Sequence, residues 1–109
     1  MTACLVYITA SNAAEAEHIG RALVEARLAA CANVHPSVTS IYRWQGKIET
    51  ESETVLIAKT RESLVDALTE KVVSLHEYDC PCIVAVPIAG GHQAFLDWIV
   101  DETVSRPVA

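Results

Sequence analysis

The sequence predicts an α+β fold: a ferredoxin-like βαββαβ sandwich with a long hairpin between its second and third strands and an additional C-terminal helix. Three observations predict it. Runs rich in β-formers alternate with stretches of helical periodicity in the order strand, helix, strand, strand, helix, strand, helix. The two middle strands meet at a tight Gln45-Gly46 turn. That order is the one in which an antiparallel sheet carries its helices on one face.

The first strand is Cys4-Leu5-Val6-Tyr7-Ile8-Thr9-Ala10, an almost continuous apolar run that suits a central position. Asn12, with Glu15 three residues on, reads as a helix N-cap with its capping-box partner. Ala16, Ile19, Leu23 and Ala26 follow at spacings of three and four, and this helix runs to about Leu28. Residues 33 to 59 read as a hairpin. A two-residue turn sets Trp44 opposite Lys47, Tyr42 opposite Glu49, Ser40 opposite Glu51 and Arg43 opposite Ile48. Its far half ends in Val55-Leu56-Ile57-Ala58 and belongs to the core, so the tip projects beyond it. Thr60 is placed to cap a second helix carrying Leu64, Leu68, Val72 and Leu75 on one face. Residues 76 to 82 connect to a buried strand, Ile83 to Ile88, whose Pro87 marks an end or an edge. Gly90-Gly91 opens the last helix, with Phe95, Leu96, Ile99 and Val100 inward and Trp98 on a flank; residues 105 to 109 read as a frayed tail.

At 109 residues and 11.8 kDa, the chain is expected to form one domain over 1–109. Half of it is hydrophobic, 51%, which excludes a disordered polyelectrolyte. Eight Lys and Arg stand against fourteen Asp and Glu, and the basic residues are scattered. That balance disfavours a nucleic-acid partner and an anionic membrane surface. No apolar run reaches the ~20 residues of a membrane helix, and no basic region precedes an apolar one at the N-terminus. The four cysteines, Cys4, Cys31, Cys80 and Cys82, are therefore expected to be thiols in the cytoplasm.

No catalytic constellation stands out, and the chain is not expected to be an enzyme. There is no nucleophile elbow, and Gly90-Gly91 lacks the lysine of a phosphate loop. Cys31 sits among small apolar residues and reads as packing. Glu49, Glu51 and Glu53 alternate on one strand face and read as a solvated face. The richest cluster is His76 with Cys80-Pro81-Cys82. Pro81 favours an extended segment in which both sulfurs project from one face, and two thiolates with an imidazole suit a soft cation such as Cu(I), or Zn²⁺. The plainer alternative is packing with a partly exposed thiol. Tyr42 and Trp44 read as a subunit contact or a ligand platform. Lys59, emerging beside an apolar strand, is expected to line a cleft or find a carboxylate.

These stretches together resemble the CutA family of divalent-cation tolerance proteins. The resemblance rests on Ala29-Ala30-Cys31-Ala32-Asn33, Ser40-Ile41-Tyr42-Arg43-Trp44-Gln45-Gly46-Lys47-Ile48-Glu49, Lys59-Thr60, His76-Glu77-Tyr78 with Pro81, and Phe95-Leu96-Asp97-Trp98-Ile99. It implies a cytoplasmic homotrimer that binds copper or another divalent metal ion, with no catalytic activity. Among the ligands of copper-binding relatives only His76 has a counterpart; the other positions fall on Ile8 and Leu75, and Cys80-Pro81-Cys82 replaces a Val-Pro-Glu. In such a trimer His76, Cys80 and Cys82 are the metal-site candidates, and Tyr42, Trp44, Lys59 and Tyr78 the inter-subunit cleft or trimer contacts. Two other roles stay open: a small-molecule sensor resembling the PII signalling proteins, and an anchoring trimer whose output is a partner interaction.

Overall fold

A computed structural model describes residues 2–104 of the chain. The elements are β1 (Ala3–Ala10), α1 (Ala13–Glu25), β2 (Cys31–Trp44), β3 (Lys47–Arg61), α2 (Val65–Leu75), β4 (Ile83–Pro87) and α3 (Gln93–Glu102), with a short 3-10 turn at Glu62–Leu64 before α2. All pairings are antiparallel and the strand order is β2-β3-β1-β4, the order expected of a ferredoxin-like sandwich. The tail from 105 lies outside the described residues.

One face of the sheet is closed by α1 and α2. Val6, Ile8 and Ala10 of β1 and Leu56 and Ala58 of β3 point to it, against Ala16, Ile19 and Leu23 of α1 and Leu68 and Val72 of α2. The alternate residues, among them Leu5, Tyr7 and Thr9, point to the opposite face. On that side α3 packs at one end, where Ile99 meets Ala3 and Ala30, and the segment between α2 and β4 lies at the other, against Tyr7, Thr9 and Glu53.

Asn12 caps α1, its Oδ1 accepting from the Glu15 N–H at 2.8 Å, and the Glu15 carboxylate reaches back to the Ser11 N–H at 2.9 Å. The helix ends sooner than its periodicity suggests, because Arg27 adopts a left-handed conformation (φ 58). The hairpin register is the one the turn predicts: Gln45 and Gly46 both have positive φ, and Trp44 faces Lys47, Tyr42 faces Glu49 and Ser40 faces Glu51.

Three expectations are corrected, and one feature of β2 is new. Thr60 does not cap α2: β3 runs on to Arg61, and the buried Thr60 hydroxyl donates to the Leu28 carbonyl at 2.6 Å. The strand at 83–87 is the edge that Pro87 suggests and ends at that residue, but it is exposed rather than buried, with Val84 and Val86 turned outward. In α3 only Ile99 is fully buried, and Phe95 stands 43% exposed beside Trp98. Finally, β2 is broken by a bulge at Pro36-Ser37, where His35 pairs with Val55 but Val38 with Glu53. Proline has no N–H for the ladder, and Ser37 turns left-handed (φ 61) to absorb the extra residue. One extra residue reverses the alternation of the rest of the strand. Beyond the bulge it is therefore the even-numbered Ser40, Tyr42 and Trp44 that share a face with the glutamates of β3.

Candidate functional site: an acidic, aromatic cleft on the open face

The reversed alternation gives β2 and β3 a common polar face beyond the core. Glu49, Glu51 and Glu53 alternate along β3, with Tyr42 and Ser40 directly opposite the first two. The 76–82 connector folds over the inner end of this row. Between them lies an open cleft of about 750 Å³. Tyr7, Tyr42, Trp44 and Tyr78 supply its aromatic walls; Glu49, Glu51, Glu53 and Asp79 supply carboxylates; Cys80 and Cys82 line it from the connector.

The connector is held by a buried polar network. His76 Nε2 lies 2.7 Å from the Thr9 carbonyl, and His76 Nδ1 lies 3.0 Å from the Tyr78 N–H. An N–H must donate to an acceptor nitrogen, so the ring is the tautomer that carries its proton on Nε2. The Glu15 carboxylate accepts from the N–H of Ser11 and of Glu77, each at 2.9 Å, and lies 3.8 Å from His76 Nδ1. Burial alone would raise the Glu15 carboxyl, but those two N–H groups and His76 outweigh it and hold the group below the usual carboxylate range.

Tyr78 bridges connector and strand: its hydroxyl donates to Glu53 Oε2 at 2.9 Å. Glu53 is only 8% exposed, so the sequence expectation of a solvated glutamate face fails at this residue and holds for the exposed Glu51. Desolvation first, then the bond to Glu53 and the charges of Glu53 and Glu51, push the Tyr78 phenol well above its ordinary value. The Tyr42 phenol is also raised, first by its hydrogen bond to Glu51 and then by slight desolvation and the neighbouring glutamates. The glutamates contribute to both shifts after these larger causes, and four carboxylates along the lining give the cleft a negative potential.

The structure brings Tyr42, Trp44, Tyr78, Cys80 and Cys82 to one cleft. It does not bring His76 there as a free ligand, because its side chain is buried and both ring nitrogens are engaged. Among the described residues no three His, Cys, Asp or Glu side chains are grouped closely enough to hold a metal ion, so the His76–Cys80–Cys82 donor set is not assembled within one protomer. Lys59 lies further along β3, opposite Cys31, with its Nζ 2.5 Å from Asn33 Oδ1; it does not line this cleft. Sequence reasoning missed Tyr7, Thr9 and Asp79, and it missed that Glu53 is a buried acceptor. Nothing local marks these, because they depend on the connector lying over the open face of β1 and β3.

As to chemistry, the cleft offers hard carboxylate oxygens, two thiols and aromatic faces, and among the described residues no Lys, Arg or His lines it. Cys4, Cys31, Cys80 and Cys82 are all free thiols. The Cys82 thiol is pushed up, by burial first and by Glu53, against a lowering hydrogen bond to Thr9. A cation that takes this sulfur must displace its proton.

The strand order and helix placement define a small α+β protein of the ferredoxin-like kind, with an acid- and thiol-lined cleft on its open face. Residues 4–102 match the family of CutA1 divalent ion tolerance proteins, and the chain belongs to that family. It is 46% identical over 99 residues to the divalent-cation tolerance protein CutA of Thermus thermophilus, covering 91% of this chain and 96% of that one. It is 44% identical over 99 residues to the chloroplastic protein CutA 1 of Oryza sativa, covering 91% of this chain but 56% of the relative; the chain thus spans little more than half the length of that protein. Solved structures agree. The Thermus thermophilus protein superposes with a TM-score of 0.91 at 45% identity, covering 94% of this chain and 99% of that one. The Oryza sativa CutA1 structure gives 0.93 at 42% identity, covering 96% of each.

Proposed function

We propose that the chain works as a homotrimer that binds divalent cations, copper among them, and supports metal tolerance by holding the ion rather than by catalysing a reaction. Membership of the divalent ion tolerance family supports the cation. The observation that carries the assembly is the hairpin. Beyond the core no element among the described residues covers it, and Ile41 and Ile48 stand 71% and 68% exposed with Trp44 half exposed beside them. β2 is an edge strand of 14 residues, and β4 is a second exposed edge. Such edges invite pairing with further copies, and a closed ring of subunits removes them.

The donor chemistry fits the cargo. Two exposed thiols two residues apart suit a soft ion such as Cu(I), and the carboxylates suit harder divalent ions. One protomer supplies too few converging donors, so a neighbouring copy completes the set. The role needs reduced thiols and therefore a reducing compartment such as the cytoplasm. The small-molecule sensor reading, in the form of a nucleotide between subunits, is opposed by the negative potential of the cleft, which repels phosphates.

The test is titration of the reduced protein with Cu(I) against a competing chelator, for the wild type and for Cys80→Ser/Cys82→Ser. The reading expects binding that tightens as pH rises and weakens strongly in the double variant. Weak binding that the double variant leaves unchanged removes the thiols from the site.

A further inference from the structure

We propose that Cys80 and Cys82 are a reversible redox pair, which a small peroxide links into an intramolecular disulfide. The link needs no ion to form. Its consequence, loss of the soft-ion donors, rests on the thiols being ligands as proposed above.

Both residues are exposed free thiols, whereas Cys4 is buried and Cys31 half-buried. They stand two apart on the connector and line the same cleft. Their span is anchored at its ends and loose between them. Tyr78 is tied on one side, by its N–H to His76 and by its hydroxyl to Glu53. Cys82 is tied on the other, its carbonyl accepting from the Thr9 N–H at 3.4 Å. Among the described residues no backbone hydrogen bond holds Asp79, Cys80 or Pro81, and β4 begins only at Ile83.

Pro81 disfavours helical backbone at Cys80. In an extended span, α-carbons two residues apart are separated by about 6.6 Å. That is the upper end of the range a disulfide bridges, about 4.4–6.8 Å. The bond therefore asks for a small contraction, and the residues between the two anchors are free to supply it. A disulfide made at the edge of its geometric range is strained, and strained, exposed disulfides are the readily reduced ones. The geometry suits a switch rather than a structural clip.

The two thiols take different parts. Burial first, then Glu53, push the Cys82 thiol up, so it is the poorer first nucleophile. The Cys80 sulfur attacks the peroxide, the O–O bond breaks, and one water leaves a sulfenic acid on Cys80. The Cys82 sulfur then attacks the Cys80 sulfur and expels the second water. One pair of thiols and one H₂O₂ thus give one disulfide and two waters; the sulfurs lose two electrons and the peroxide gains them. H₂O₂ is smaller than a hydrated metal ion, so a cleft that admits the ion admits the oxidant with neighbouring copies in place. The product keeps the carboxylates and leaves no thiolate for a soft ion.

The experiment exposes the assembled, reduced and chelator-treated protein to hydrogen peroxide. Remaining thiols are alkylated after unfolding, and the peptides are weighed by mass spectrometry. The wild type is compared with Cys80→Ser and Cys82→Ser. The proposal expects the peptide carrying both cysteines to lose two hydrogens before Cys4 or Cys31 reacts, and to regain them with dithiothreitol. Cys82→Ser should accumulate a sulfenic acid on Cys80 that dimedone traps. In Cys80→Ser, Cys82 should react about tenfold or more slowly than the wild-type pair. Three results overturn the proposal: both thiols still alkylated after peroxide, a sulfinic acid on each without a link, or a link between two chains. A second readout is Cu(I) affinity, which should fall on oxidation to that of Cys80→Ser/Cys82→Ser and return on reduction. If the disulfide forms and reverses while Cu(I) affinity is the same in all these states, the redox pair stands and the thiol-ligand reading falls.

Discussion

The Tyr78 hydroxyl donates to Glu53 Oε2 at 2.9 Å and ties the 76–82 connector to the strand that carries the acidic row. A phenol on the connector and a carboxylate on the strand are thereby made into one wall of the cleft. The bond also keeps Glu53, almost wholly buried, from standing as an unpaired charge.

Tyr78→Phe removes that donor and leaves the Glu53 carboxylate short of a partner. It is expected to lower stability at pH 7 by about 1–3 kcal/mol. The pH dependence has a definite sign. The Tyr78 phenol is raised in the folded state, so its contribution is complete below the unfolded value of about 10 and declines as pH rises above it. Urea unfolding of both proteins at fixed protomer concentration, from pH 7 to pH 11, should show their difference shrinking above about pH 10. A constant difference across that range contradicts the account.

Glu15 acts at the other end of the scale. Its carboxylate accepts from the N–H of Ser11 and Glu77, and so joins the start of α1 to the connector. Its folded value is lowered, so its contribution is complete above the ordinary glutamate range and is lost as pH falls through the folded value. Glu15→Ala should cost about 1–3 kcal/mol at pH 7. In urea unfolding the difference from wild type should shrink below about pH 4.5.

Arg61 holds α3 to the sheet. Its Nε donates to Thr103 Oγ1 at 2.8 Å, and its Nη2 donates to the carbonyls of Val100 and Thr103 at 2.6 and 2.7 Å. These are the orphan acceptors of a helix C-terminus, where a cation is also favoured by the dipole. Arg61→Met keeps the aliphatic bulk and takes the charged donor from the Thr103 carbonyl and hydroxyl and from the Val100 carbonyl, which keeps only its longer bonds from Thr103. The expected cost is about 2–4 kcal/mol, with faster amide exchange in Gln93–Glu102 than in α1.

Much of this architecture is written locally and could be read from the chain. Asn12 and Glu15 cap α1 as their spacing demands, and Gln45-Gly46 sets the hairpin register residue by residue. Both are short-range geometry. What could not be read depends on which face another element covers. Alternation shows that Glu49, Glu51 and Glu53 share a face, but not that the connector buries Glu53 alone. Apolar content made the 83–87 strand and Phe95 look internal, although both lie where the protomer ends. His76 looked like a ligand because its type suits one; its two ring nitrogens are taken by backbone groups from Thr9 and Tyr78, a contact across 67 residues in the first case.

The central claim is that the bare hairpin around Trp44 is completed by further copies of the chain, which bring the acidic clefts into a closed assembly. Sedimentation equilibrium of the reduced protein at micromolar concentration tests it most directly. The account predicts a single species of three times the 11.8 kDa protomer mass, with Trp44 fluorescence, read in a Trp98→Phe variant, typical of a buried indole. A folded species of one protomer mass, with the indole in water, would contradict it.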